Sequence, residues 1–235
     1  MKTMKYILGV LLLLAGVSAQ AQGKFQPKTT WPFLYEDFLA GNVLNSKGNT
    51  IEYDKLNVNV SNSRLYYIKG DDVMEADMAT IYVARVGSDV YLNAMGKLMR
   101  VLKETEHGAV LESKEINMDE MQKTSIGYGK SAIASTQNVS AIALEGMTHS
   151  AGNEGTINKS LSAFQQEKNS GEDLALRERL FLIVDGYLVR ARKNEVFSDT
   201  HFNRDETFKY LKEKKIKWND VDQLADLVEF LHGQL

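Results

Sequence analysis

The sequence predicts an α+β protein: an antiparallel, strand-rich body, as a sandwich or a partly closed barrel, carrying a C-terminal pair of helices. Three observations predict it. Leu56, Val58 and Val60 alternate with Asn57, Asn59 and Ser61, a period of two that sends one set to each face of a sheet. Turn-forming residues recur between short apolar runs as far as Asn117, which is the spacing of antiparallel hairpins. From Asn203 onward the apolar residues fall instead at the 3.6-residue period of amphipathic helices.

Taken in order, the chain begins with Lys2 and Lys5, an almost unbroken apolar run from Tyr6 to Val17, and the small-residue end Ser18-Ala19-Gln20-Ala21. This is the layout of a secretory signal peptide over residues 1–21. Its apolar run is shorter than the ~20 residues of a spanning helix. An exported protein starting near Gln22 is expected, in the periplasm or on the surface of a Gram-negative bacterium. No later stretch is apolar enough to span a bilayer, so a mature chain that is soluble or peripherally attached is expected. The chain has no cysteine, which removes disulfides, thiolate metal sites, thiol nucleophiles and a lipid-bearing N-terminal cysteine together. Net charge is −3, and −5 once Lys2 and Lys5 are lost. Such a balance argues against nucleic acid as a partner, since those binders show basic domains or stripes.

Residues 22–117 form the expected strand-rich body. Arg64 to Lys69, Thr80 to Val86, Val90 to Ala94, Leu98 to Leu102 and Ala109 to Glu112 read as strands. Asn45 to Asn49, Ser61 to Ser63, Gly70 to Asp72, Gly87 to Asp89, Met95-Gly96 and His107-Gly108 read as the turns between them. Residues 118–173 are rich in Gly, Ser, Thr and Asn and read as a loop-rich middle, with one strand-like interlude at Val139 to Leu144 and poor order expected between Gly146 and Gly171. Residues 174–235 return to regular structure. Arg179 to Ile183, the turn Asp185-Gly186 and Tyr187 to Arg192 make a hairpin. Asn203 with Glu206 resembles a capping box and starts a helix to about Lys215, with Phe208 and Leu211 on one face. Asn219 with Asp222 starts a second, whose Val221, Leu224, Val228 and Leu231 share a face and whose Asp222, Asp226 and Glu229 lie opposite. Arg204 to Lys217 holds six basic and three acidic residues, whereas Trp218 to Leu235 holds four acidic residues and no lysine or arginine.

Motifs for chemistry are sparse. The four histidines, His107, His149, His201 and His232, have no metal-ligand spacing and read as exposed side chains. Around His149-Ser150 the nucleophile elbow lacks its first glycine, because Thr148 stands there. Gly127-Tyr128-Gly129-Lys130-Ser131 lacks the first glycine of a phosphate loop, Thr124 standing in its place. Asp71, Asp72, Glu75 and Asp77 lack the register of a calcium loop and read as a solvated hairpin tip. Glu36 and Asp37, as neighbours on a strand, would point to opposite faces. Trp31, Phe33 and Tyr35 share a face if extended. They read either as a stacking platform for sugar or as core packing, and large aromatics more often serve burial. No catalytic residue, metal or cofactor is assigned, and Trp31, Tyr35 and Tyr128 are the candidate binding residues.

Trp31-Pro32-Phe33-Leu34-Tyr35-Glu36-Asp37-Phe38, Gly41-Asn42-Val43, Leu56 to Asn59, Ile126 to Gly129 with Ser131 to Ser135, and the tail from Asn203 to Leu231 resemble a group of exported Bacteroidota proteins of unknown function. In that group the two glycines do not flank the tyrosine directly, as Gly127 and Gly129 do here. The resemblance implies compartment and layout, and no activity. The function expected is non-enzymatic: binding a partner, such as an envelope protein, through a polar loop on a rigid β body. A hydrolase built on dispersed carboxylates and a barrel carrying a small apolar ligand are the alternatives. Oligomeric state is not readable.

Overall fold

The structure is a computed structural model that describes residues 25–126 and 156–235. Eleven strands form an open antiparallel sheet, and C-terminal helices pack against part of it. In chain order the strands are β1 Leu39–Asn45, β2 Thr50–Asn59, β3 Arg64–Lys69, β4 Asp72–Glu75, β5 Ile81–Val86, β6 Asp89–Ala94, β7 Lys97–Glu104, β8 Gly108–Ile116, β9 Thr156–Ser160, β10 Leu176–Val184 and β11 Tyr187–Arg190. The helices are α1 Met118–Ile126, α2 Leu161–Glu167, α3 Lys193–Ser198, α4 Arg204–Lys214 and α5 Val221–His232, with a 3-10 turn at Met78–Thr80. The strand-rich α+β class follows the sequence. The tail is richer than a helical pair, since the short α3 precedes α4.

Two compact units divide the chain. One holds the described residues of Gln20–Leu98 and Lys114–Arg177, with the strand order β6-β5-β1-β2-β3-β4-β9. Leu56 and Val58 of β2 are buried as the alternation predicts, packed with Val43, Leu65, Ala84 and Val86. Two of the polar set are buried as well: Asn57 is 0% exposed and Asn59 is 5% exposed, while Ser61 is exposed. The reason is the segment before β1. It is not the extended strand read from Trp31 onward. It bridges at Phe33 to Asn59, then bends over residues 34–37. Leu34 N–H donates to Val58 O at 2.8 Å, and Val60 N–H donates to Pro32 O at 2.9 Å. Asn57 secures the bend, because its Nδ2 donates to Tyr35 O and Asp37 O while its Oδ1 accepts from Tyr35 N–H.

The middle segment also departs from its composition. Residues 118–173 contain α1, β9 and α2, all formed from polar-rich sequence. β9 pairs with β4, Asp72 opposite Ser160 and Met74 opposite Thr156. Ser160 caps α2 by accepting from Ala163 N–H at 3.2 Å, and Leu161 and Phe164 bury its inner face. Of the acidic stretch read as a hairpin tip, Asp71 and Asp72 are exposed at the β3–β4 turn as expected, but the chain runs on as β4 and buries Val73, Met74 and Glu75. Val139 to Leu144 and Gly146 to Gly155 lie outside the described residues.

The other unit comprises Met99–Ser113 and Glu178–Leu235, with the order β11-β10-β8-β7 and α3 to α5. The β10–β11 turn has positive φ at both Asp185 and Gly186 (46° and 93°), the two-residue turn that matches strand twist. Leu224, Leu227, Val228 and Leu231 of α5 pack with Val110 of β8, Leu182 and Val184 of β10, and Leu211 of α4. Gly108 is needed for space rather than for a turn. A Cβ there would lie 1.8 Å from Ile183 O and 3.0 Å from Val228 Cγ1.

The α4 cap is the predicted one: Asn203 Oδ1 accepts from Asp205 and Glu206 N–H. The α5 cap is Asp220 rather than Asn219, because the Asp220 carboxylate accepts from Gln223 N–H at 3.1 Å and from Gln223 Nε2 at 2.9 Å. Phe208 does not share the buried face of Leu211. It is 48% exposed and faces Phe197, ring centroids 5.6 Å apart.

Candidate functional site

Trp31 is 1% exposed. Its ring packs edge-on to Phe33, Phe38 and Phe164 at 5.4–6.4 Å, with Lys168 Nζ 5.0 Å from its centroid. Its indole N–H donates to Tyr35 O. With its faces occupied, this ring is a core residue and offers no platform to a sugar. Tyr35 is half-buried, and its hydroxyl donates to Asp89 Oδ2 at 2.6 Å and meets the Tyr91 hydroxyl at 2.6 Å. Burial first, then the neighbouring Tyr91 and Asp89, push its pKa upward, so Tyr35 stays a protonated donor. Tyr128 lies outside the described residues, as do His149, Ser150 and Gly127 to Ser131.

The carboxylates are engaged differently from the sequence reading. Glu75 ion-pairs with Arg64 and accepts from the Tyr66 hydroxyl at 2.6 Å. Asp77 accepts from Ala79 N–H and caps the 3-10 turn. Asp71 accepts from the Ser162 hydroxyl. Glu36 and Asp37 do converge, at 3.6 and 3.3 Å from Lys168 Nζ, because the backbone bends there and does not run as a strand. Among the described residues no group of three or more His, Cys, Asp or Glu side chains is placed to hold a metal ion, and no helix is long and apolar enough to cross a membrane.

Two arrangements lie in the unit of α3 to α5. The first is a cleft of about 380 Å³ lined by Lys193, Leu211, Lys212, Lys215, Ile216 and Trp218. Local structure explains it. Lys193 opens α3, and Leu211 and Lys212 stand on the last turns of α4. Lys215 then takes the left-handed conformation at φ 50°, where glycine is the usual choice, and turns the chain toward Ile216 and Trp218. None of the three lysines makes an ion pair among the described residues. The result is an apolar floor with a cationic rim. Its size falls in the range of small-ligand pockets, ~300–1,000 Å³.

The second arrangement joins His107 and His232, whose rings stack with centroids 3.5 Å apart and planes 12° apart. His107 Nδ1 meets Glu229 Oε2 at 2.6 Å, and His232 Nδ1 meets an Asp185 oxygen. Sequence spacing gives no sign of this pairing, and both rings are partly exposed. Glu229 and His232, three apart on one helix, were a visible pair, but nothing local ties either to His107 or Asp185. His201, by contrast, meets only Asp199 and Tyr187 among the described residues.

The lysine excess of residues 204–217 was the sequence signal for the cleft. On sequence grounds alone, lysines at the end of a helix complement its dipole, which is worth ~0.3–1 kcal/mol per charge at exposed sites. No family model, curated protein or solved structure matches the chain.

Proposed function

We propose that this is an exported, non-enzymatic binding protein of the cell envelope, and that its cleft takes an acidic segment of a partner protein carrying an apolar anchor side chain. The observation that carries the reading is the convergence of Lys193, Lys212 and Lys215, none of them ion-paired among the described residues, on a floor of Leu211, Ile216 and Trp218. The signal-like residues 1–21 and the likeness to exported Bacteroidota proteins support the compartment: periplasm or surface of a Gram-negative cell.

Physical magnitudes divide the work between the two parts of the cleft. Burying one leucine-sized side chain stabilises a complex by ~1.5–3 kcal/mol. An exposed ion pair adds ~0–1 kcal/mol and is screened by salt. The floor therefore supplies most of the affinity, and the lysines select the sign of the partner. After the cost of association, the sum fits a transient complex with a Kd in the roughly micromolar-to-millimolar range.

The test is a titration of the purified protein with a dye-labelled peptide, Glu-Glu-Leu-Glu-Glu. Saturable binding that falls at least fivefold in Lys212→Glu/Lys215→Glu, and again when the peptide leucine becomes serine, is expected. Equal binding by wild type and the double variant overturns the reading.

A further inference from the structure

The cleft leaves the stacked histidines unexplained. Their row of four side chains, Glu229–His107–His232–Asp185, comes from three elements. Asp185 belongs to the β10–β11 turn, His107 to the β7–β8 turn, and Glu229 and His232 to the end of α5. The backbone closes the same arrangement. Asp185 N–H donates to His107 O at 2.9 Å, and His107 N–H donates to Glu229 Oε1 at 3.1 Å. We propose that these four groups form a pH-gated clasp on the C-terminal end of α5, closed in mildly acidic solution and opened by stronger acid.

The charges decide the sign. Two protonated imidazoles stacked face to face repel, and Glu229 and Asp185 balance them only while both carboxylates are ionised. Glu106, the remaining charged group close to His107, adds further negative potential. The hydrogen bond to Glu229, with that potential and despite some desolvation, holds the His107 pKa above the usual histidine value. That bond's stabilisation is complete below the ordinary histidine pKa and is lost as pH rises through the raised one. For Glu229, burial pushes the pKa up, but the neighbouring Thr105 hydroxyl and the hydrogen bonds with His107 outweigh it and bring the net value below the usual carboxylate range. Its contribution is present above the ordinary value and lost as pH falls through the lowered one. The clasp is therefore tightest between those limits. Below the lower limit, His107 stays cationic on the stacked His232 ring with its Glu229 counter-charge gone.

Opening has a route through the fold. Gly233 and Gln234 follow His232, and Gln234 O accepts from Asn203 N–H at 3.2 Å. Asn203 is the cap of α4, the helix that carries Leu211 and Lys212. Loosening the end of α5 thus loosens the start of α4.

Amide hydrogen exchange on the full protein tests this. Gly233 and Gln234 N–H donate to Phe230 O and Leu231 O, so their protection reports the last turn of α5. In wild type their protection factors are expected to drop at least tenfold between about pH 5.5 and about pH 2.5, the range that crosses the lowered Glu229 value, with amides of β2 and β3 unaffected. In His232→Phe, which keeps a stacked ring and removes one charge, the drop should be less than twofold. His107→Phe carries the same expectation, so the result does not hang on one variant. A wild type with no drop, variants that drop as the wild type does, or an equal loss of protection in β2 and β3 would each overturn the clasp.

Discussion

Asn57 shows how one side chain redirects a reading of the sequence. By residue type and alternation it belongs on a solvated face, and nothing within β2 says otherwise. It is buried because residues 33–37 lie across it, and it then serves as their hydrogen-bond anchor. Asn57→Ala would leave the Tyr35 and Asp37 carbonyls and the Tyr35 N–H without this partner. Unpaired buried polar groups cost ~1–3 kcal/mol, so urea unfolding should show a loss of that size. A change below about 0.5 kcal/mol would mean that the bend stands without the clamp. Glu75 teaches the same lesson. A carboxylate beside a turn reads as solvated, yet Arg64 and the Tyr66 hydroxyl sit ready across the β3–β4 ladder. Long-range partners of this kind leave no local trace in the residues they satisfy.

At the scale of elements, legibility followed the strength of the periodic signal. α5 was readable because Leu224, Val228 and Leu231 repeat on one face, and all three are fully buried. Val221, assigned to the same face, is only partly buried, since it opens the helix beside the Asp220 cap. The two positions therefore separate by a thermal-unfolding measurement. Leu224→Ala should destabilise by ~2–5 kcal/mol, whereas Val221→Ala should cost ~1 kcal/mol or less, in line with its smaller buried area. Comparable losses at both positions would contradict this packing. The β3 strand and the Asp185-Gly186 turn were equally legible, having respectively an uninterrupted apolar-rich run and a turn dipeptide of known geometry. β9 and α2 were not. β9 and the outer face of α2 are polar, and β9 is held by β4, a short strand that the acidic residues at its start make hard to read as one.

For the whole molecule, net charge proved a poor guide. The chain is mildly acidic, while the segment containing α4 concentrates lysines around an apolar floor. Sequence counting located that excess, but only the fold brings Lys193, almost twenty residues before Lys212, to the same rim. The site candidates drawn from aromatic spacing went the other way. Trp31 became core, because Phe33, Phe38 and Phe164 surround it. The chain's two tryptophans thus sit in opposite roles, Trp31 packed in one unit and Trp218 lining the cleft in the other. That contrast offers the most direct test. In a ¹⁵N–¹H spectrum the two indole N–H groups give separate signals. On addition of the Glu-Glu-Leu-Glu-Glu peptide, the Trp218 signal should move saturably, and less at 0.5 M than at 0.05 M salt, while Trp31 stays in place. A Trp218 signal that stays fixed at saturating peptide would contradict the account.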